Sequence, residues 1–218
     1  MIGMKVYDGH PAVPQTVQEN LAQFSPLVQG LLFSRQITTL ADAEMFFNPD
    51  YVRDIHDPFL LKDMEKATRR IVTAIEQKEK MIIYSDYDAD GIPGGTMLRD
   101  FFDKIGHDNI ENYIPHRHDE GFGLHAEAVE NLAAAGAKII ITIDCGIADV
   151  AVAAVAKERG VDLIITDHHE PGSVLPDAFA IVNPKQHDCS YPHKGLCGSG
   201  VAYKLVQAIL AKNRFGLK

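Results

Sequence analysis

Met81-Ile82-Ile83-Tyr84-Ser85-Asp86-Tyr87-Asp88-Ala89-Asp90-Gly91 is the stretch on which the fold turns. Its first four residues form a short β-rich run of strand length, too short for a buried helix. Three carboxylates at alternate positions follow directly. Similar runs recur downstream as Lys138-Ile139-Ile140-Ile141-Thr142-Ile143, Asp162-Leu163-Ile164-Ile165-Thr166 and Ala178-Phe179-Ala180-Ile181-Val182. Helical stretches near 94–105, 125–135 and 148–159 separate them, and an amphipathic helix over 200–212 opens on Gly198-Ser199-Gly200. Near-continuous Ile/Val strands alternating with helices predict an α/β fold, a mostly parallel sheet with helices on both faces.

Upstream the pattern is different. Thr38-Thr39-Leu40-Ala41-Asp42-Ala43-Glu44-Met45-Phe46-Phe47 carries an N-cap threonine and apolar residues at helical spacing, and stops at Asn48-Pro49. A polar segment with His56-Asp57-Pro58 leads to an amphipathic helix from about Lys62 to Gln77. The expected organisation is a short helical N-terminal lead-in over 1–61 and an α/β domain over 62–218. No internal repeat or low-complexity tract interrupts it.

Composition sets the outer limits. The chain has 218 residues, 46% of them hydrophobic and 23% charged, the balance of a globular protein with a core. No run reaches the roughly 18 apolar residues of a membrane span, and the N-terminus, Met1 to Asp8, lacks the apolar run of a signal peptide. The expected compartment is the cytoplasm, with no membrane partner. Three cysteines are an odd number and argue against a disulfide framework. A net charge of −9 speaks against a broad basic surface for nucleic acid unless cations, or a further part of the protein, supply positive charge.

Asp86, Asp144 and Asp167-His168-His169 each follow a different strand. Ligands of open parallel sheets bind at the carboxyl ends of the strands, so the three clusters should converge in one crevice. The aspartate triplet imitates the start of a calcium EF-hand loop, but Met97 stands where the bidentate Glu belongs, and a strand replaces the leading helix. Carboxylates joined by imidazole suit Mn²⁺ or Mg²⁺. Two such ions sharing a bridging carboxylate, roughly 3.5–4 Å apart, are the layout of phosphoester hydrolysis. Zinc on Cys189 and Cys197 with His187 and His193 is disfavoured, since neither a C-x-x-C nor a paired-His spacing is present. Cys145 reads as a packing residue.

Taken in order, these segments resemble the DHH phosphoesterase superfamily, most closely its RecJ branch of single-strand exonucleases. The resemblance runs from Asn48-Pro49 and His56 to Met64, through Asp86 to Gly91, Tyr113-Ile114-Pro115-His116-Arg117, Glu120-Gly121-Phe122-Gly123-Leu124, Asp144-Cys145-Gly146 and Asp167-His168-His169, to Asn183-Pro184-Lys185 and Gly198 to Lys204. It implies Asp86, Asp88, Asp90, Asp144 and His168 as metal residues, with Asp144 the bridge, and His169 and Asp167 as catalytic. Arg117 and His116, with Gly198, Ser199 and Gly200, are implied to bind substrate. Arg117 offers bidentate phosphate geometry, and the glycine turn offers helix N-terminal N–H groups.

The activity implied is two-metal, 5′→3′ hydrolysis of single-stranded DNA in repair and recombination. A monomer is expected, with a single-strand-binding protein or a helicase as protein partner. Alternatives are a phosphodiesterase acting on short oligoribonucleotides or cyclic dinucleotides, and a non-catalytic remnant that binds nucleic acid or a partner.

Three positions depart from the family pattern. Tyr84 and Ser85 replace His-Gly, and a histidine at the Tyr84 position can be a first-metal ligand in the wider superfamily. Pro93-Gly94 replaces a Thr-containing turn. The fourth-motif aspartate, the associated second domain and an OB-fold are expected beyond Lys218, so the chain reads as a piece of a longer enzyme.

Overall fold

The computed structural model describes residues 12–217, so the N-terminal stretch read for a signal peptide lies outside the described residues. The chain divides into two compact units, Met1–Ile55 and His56–Lys218.

The first unit contains α1 (Gln15–Asn20), α2 (Pro26–Phe33), α3 (Leu40–Phe47) and α4 (Tyr51–Asp54). Its helix starts are set by polar caps. Ser25, Thr39 and Asp50 accept from the N–H groups of Val28, Asp42 and Val52 respectively, satisfying donors that the first helical turn leaves open. A small core of Val17, Leu21, Leu32 and Ala43 holds the unit together.

The second unit contains α5 (Met64–Gln77), β1 (Met81–Ser85), α6 (Gly91–Lys104), β2 (Ile110–Tyr113), α7 (Ala126–Ala134), β3 (Ile139–Ile143), α8 (Val150–Glu158), β4 (Asp162–Thr166), β5 (Ala180–Val182) and α9 (Gly198–Lys212). The sheet order is β2-β1-β3-β4-β5, and every neighbouring pair is parallel. Alternate strand residues face opposite ways. Ile83, Ile141 and Ile164 join a core with α5, α6 and α9, while Ile82, Ile140 and Ile165 join one with α7 and α8. The expected α/β fold with both faces covered is therefore present.

β2 escaped the sequence reading. It is a four-residue edge strand in which Glu111 and Asn112 are exposed, so it lacks the continuous apolar run that marks the central strands. Its position matters, because from β1 the order runs one way to β2 and the other way to β3. That reversal is the switch point at which open α/β sheets bind ligands.

Two further features fix the sheet. Asp63, in the left-handed region at φ 59°, accepts from the Ile181 N–H at 3.0 Å and so ties the start of α5 to β5. At the amino ends of the strands, Arg70 Nε donates to Asp162 Oδ2 at 2.6 Å, and Nη1 stands 2.7 Å from Glu79 Oε2. Burial alone would lower the Arg70 pKa, but the two carboxylates outweigh it and raise it.

Candidate metal centre

The carboxylates gather at the carboxyl ends of β1, β3 and β4 through three kinds of turn. After β1, the Asp86 N–H donates to Ile143 O at 3.1 Å, extending the ladder one residue beyond the strand. Asp88 Oδ1 then accepts from the N–H groups of Asp90 and Gly91, both at 2.8 Å, and starts α6. Gly91 is required there, since a Cβ would stand 2.5 Å from Asp86 O.

After β3, Asp144 adopts φ 66°, a conformation that costs a non-glycine residue of order 1–3 kcal/mol. After β4, Asp167 Oδ1 accepts from the N–H groups of His168 (2.7 Å) and His169 (3.1 Å) and from His169 Nδ1 (2.7 Å), while Oδ2 accepts from Ile147 N–H (2.9 Å).

Asp144 is the centre of the arrangement. It is 2% exposed, and its Oδ1 is buried without a hydrogen-bond donor. His168 Nε2 stands 3.1 Å from that oxygen, but outside hydrogen-bond geometry, and 3.7 Å from Asp90 Oδ2. Burial, reinforced by Asp90 and Asp88, pushes the Asp144 carboxyl up to about 8. Asp86 is raised as well, chiefly by burial. Ligand atoms of Asp144, His168 and His169 all lie within 4.8 Å of one another.

A buried, acceptor-only oxygen among like charges lacks the compensation that buried charge requires, and a divalent cation supplies it. The residues therefore fit such an ion. Among the described residues this is the one His/Cys/Asp/Glu group with that geometry, and Cys189 and Cys197 are outside it.

The other site residues divide by what they touch. Asp90 is held by α9, as Gly198 N–H donates to its Oδ2 at 2.6 Å and Ser199 N–H to its Oδ1 at 2.7 Å. Burial works to raise Asp90, yet these bonds and the Ser199 side chain bring its pKa below the usual value. The helix N-terminal donors read as a phosphate seat thus already hold a carboxylate. Gly198 is needed for another reason, because a Cβ there would collide with Asp144 Oδ1. A Cβ on Gly200 would meet Leu196 and Cys197 instead. His169 is raised in pKa, since its bond to Asp167 overcomes burial, which alone would lower it.

Arg117 lies over the Tyr87 ring, 5.1 Å from its centroid, and no carboxylate pairs with it among the described residues. His116 Nδ1 is paired with Asp119 at 2.6 Å.

Several residues had no role in the sequence reading. Asn183 donates to His169 O at 2.9 Å and fixes the turn after β4. Asp149, just before α8, lines the same cleft as Asp86, Asp88, Asp144, Asp167 and His169. Its Oδ2 accepts from Leu124 N–H at 3.0 Å. A lone Asp at a helix start carries only a capping signal in sequence, which conceals this second contact. Tyr84 points to the α7/α8 side, stacks on Tyr113 at 5.0 Å and donates to Gly123 O at 3.2 Å.

The family model for the DHH family, N-terminal domain, matches residues 80–217. The chain belongs to the DHH family.

The chain is 46% identical over 188 residues to the single-stranded-DNA-specific exonuclease RecJ of Bacillus subtilis, covering 86% of this chain and 24% of that protein. The Escherichia coli protein of the same name is 35% identical over 188 residues, covering 86% and 32%. Among solved structures, exonuclease RecJ bound to manganese superposes with a TM-score of 0.65 at 33% identity, covering 72% of this chain and 39% of that one. RecJ of Thermus thermophilus in complex with Mn²⁺ gives 0.70 at 26% identity, covering 95% and 29%. This DHH chain thus spans about a quarter to a third of the length of these two curated relatives.

Proposed function

We propose that the chain is the catalytic core of a metal-dependent phosphodiesterase that degrades single-stranded DNA from the 5′ end, as a RecJ-type exonuclease. The observation that carries this reading is the donorless Oδ1 of Asp144, buried between Asp88, Asp90 and His168 at the switch point of the sheet. Support comes from the relatives named single-stranded-DNA-specific exonuclease and from the RecJ structures that contain Mn²⁺. No helix among the described residues is long and apolar enough to cross a membrane.

Asp144, His168 and His169, with Asp88, Asp90 and Asp86, are the residues that would hold Mn²⁺ or Mg²⁺ in a two-metal site. When bound, these ions supply charge neutralisation and Lewis acidity at the scissile phosphate. The protein's own part is orientation. Asp167 keeps a proton on His169 Nδ1, leaving Nε2 as the ring nitrogen available to a ligand or a phosphate oxygen. Gly198 and Ser199 lock Asp90, and Asn183 anchors the backbone of His169. Arg117 is the cation placed to hold a neighbouring phosphate. The same reading puts the enzyme in the cytoplasm, as a monomer in repair and recombination, working with a single-strand-binding protein or a helicase.

The test is release of mononucleotides from 5′-phosphorylated single-stranded DNA with Mn²⁺. Asp144→Ala should reduce it on the order of 10³-fold, the scale of several kcal/mol of charge stabilisation. Release that is unchanged in the variant sinks the proposal. The net charge of −9 favours a second reading, a phosphodiesterase for short oligonucleotides or cyclic dinucleotides. Turnover of a dinucleotide that exceeds turnover of a long strand would select it.

A further inference from the structure

β3 is an apolar strand with one exception. Ile139-Ile140-Ile141-Thr142-Ile143 places a single hydroxyl in a run where valine would fill the same outline. Thr142 is 0% exposed, so its hydroxyl has no water to bond and has to be satisfied inside the protein. It is used in both directions. Thr142 Oγ1 donates to Cys145 O at 2.7 Å and accepts from Thr166 N–H at 3.3 Å.

These partners belong to the two turns that carry Asp144 and His168. After β3 the chain passes through Asp144 at φ 66° and Gly146 at φ 112°. That reversal brings the carbonyl of the buried Cys145 back to β3, where it needs an internal donor, and Thr142 supplies it. The fit is close, since a Cβ on Gly146 would stand 3.2 Å from Thr142 Oγ1. After β4, Thr166 is the residue directly before Asp167-His168-His169. Its own Oγ1 donates to Thr142 O at 2.5 Å, and its carbonyl accepts from Asp144 N–H at 2.9 Å. One buried hydroxyl therefore joins the two turns.

We propose that the Thr142 hydroxyl is a positioning group of the metal centre, which fixes the Asp144 turn against the His168 turn. Asp144 Oδ1 and His168 Nε2, 3.1 Å apart, are thereby presented together to a divalent ion. This role rests on the metal-dependent nuclease reading of the cleft. A non-glycine residue in the left-handed region stays there only where its surroundings over-determine it. With valine at 142 the strand would keep its shape, but the Cys145 carbonyl would lose its donor. The Asp144 turn would then be free to relax and to carry its carboxylate away from His168.

The experiment titrates chelator-treated protein with Mn²⁺ in a calorimeter, without DNA. Thr142→Val should weaken Mn²⁺ binding about 10- to 100-fold, the range found when a group that orients metal ligands is removed. Thr142→Ser keeps the hydroxyl and should bind Mn²⁺ as the wild type does. Arg70→Met loosens the sheet at its opposite end and is the control for lost stability, so its Mn²⁺ affinity should also equal that of the wild type. In nucleotide release, Thr142→Val should raise the Mn²⁺ concentration of half-maximal rate by the same factor and leave KM for DNA unchanged.

Mn²⁺ binding by Thr142→Val as tight as in the wild type overturns the proposal. So does an equal loss in Thr142→Ser, because the methyl group and not the hydroxyl would then matter, and so does a wild type that binds no Mn²⁺. If the valine variant does not fold, Thr142→Ala is read in its place. Failure of the nuclease reading looks different. It appears as absent Mn²⁺-dependent nucleotide release from the wild type, with the calorimetric order of the variants as proposed.

Discussion

The two ends of the parallel sheet handle charge in opposite ways. At the amino ends of the strands, one guanidinium, Arg70, lies between two carboxylates, Asp162 and Glu79. At the carboxyl ends, Asp86, Asp88, Asp90, Asp144 and Asp167 converge, and the groups that stand against their oxygens are the imidazoles of His168 and His169. In the first cluster each carboxylate lies within 2.7 Å of the guanidinium, whereas the second gathers five carboxylates and holds Asp144, buried and without a donor to its Oδ1, on a main chain at φ 66°. Folding alone would favour the first arrangement everywhere. The second persists because the surrounding backbone bonds over-determine it, which is how sites reserved for a ligand are held.

Asp144→Asn breaks this comparison most strongly, because function and stability should move in opposite directions. Mn²⁺-dependent nucleotide release should fall on the order of 10³-fold. The metal-free protein should become more stable, by about 1–3 kcal/mol at pH 8–9, as a buried unpaired charge is removed.

The pH dependence follows from the same group. The folded-state pKa of Asp144, about 8, lies above the ordinary carboxylate value. Its favourable contribution is thus complete below that ordinary value and is lost as pH rises through about 8. Thermal melting in a chelator should show the wild type losing stability over that window and the variant losing less. Equal slopes would mean that Asp144 is not the strained charge.

Arg70→Met tests the compensated end. Removing the guanidinium leaves Asp162 and Glu79 facing each other, and a loss of about 2 kcal/mol in urea denaturation is expected, below the full cost for a buried pair because these groups are partly solvated. Mn²⁺-dependent activity per folded molecule should not change. A loss of activity larger than the loss of folded protein would mean that the two ends of the sheet are coupled.

The smallest expected effect is that of Tyr84→Phe. It removes one hydrogen bond to Gly123 O and should cost about 1 kcal/mol. Binding of single strands should weaken severalfold, whereas calorimetric Mn²⁺ affinity should stay the same. A fall in Mn²⁺ affinity would move Tyr84 back to the metal side.

Much of this was legible before any coordinates. The strands β1, β3 and β4 announced themselves as Ile-rich runs, because a strand covered on both faces has no polar side to interrupt the pattern. β2 did not, since an edge strand with exposed Glu111 and Asn112 looks like a loop. Asp86, Asp88, Asp90, Asp144, His168 and His169 were picked out by residue type and by their position after strands. Glu120, Asp149 and Asn183 were not given roles, because each acts on backbone groups from elsewhere in the chain. Sequence spacing carries no record of such contacts.

The sequence by itself determined the fold class, the family and the identity of the clustered acids, since apolar periodicity and ordered motifs are one-dimensional properties. Only the tertiary structure decided what each acid is for. Asp167 is satisfied by four donors and orients His169, Asp90 is taken up by the start of α9, and Asp144 is left with a buried oxygen and no donor. Hydrogen bonding is a property of distance and direction, and those are fixed only when β1, β3 and β4 are laid side by side.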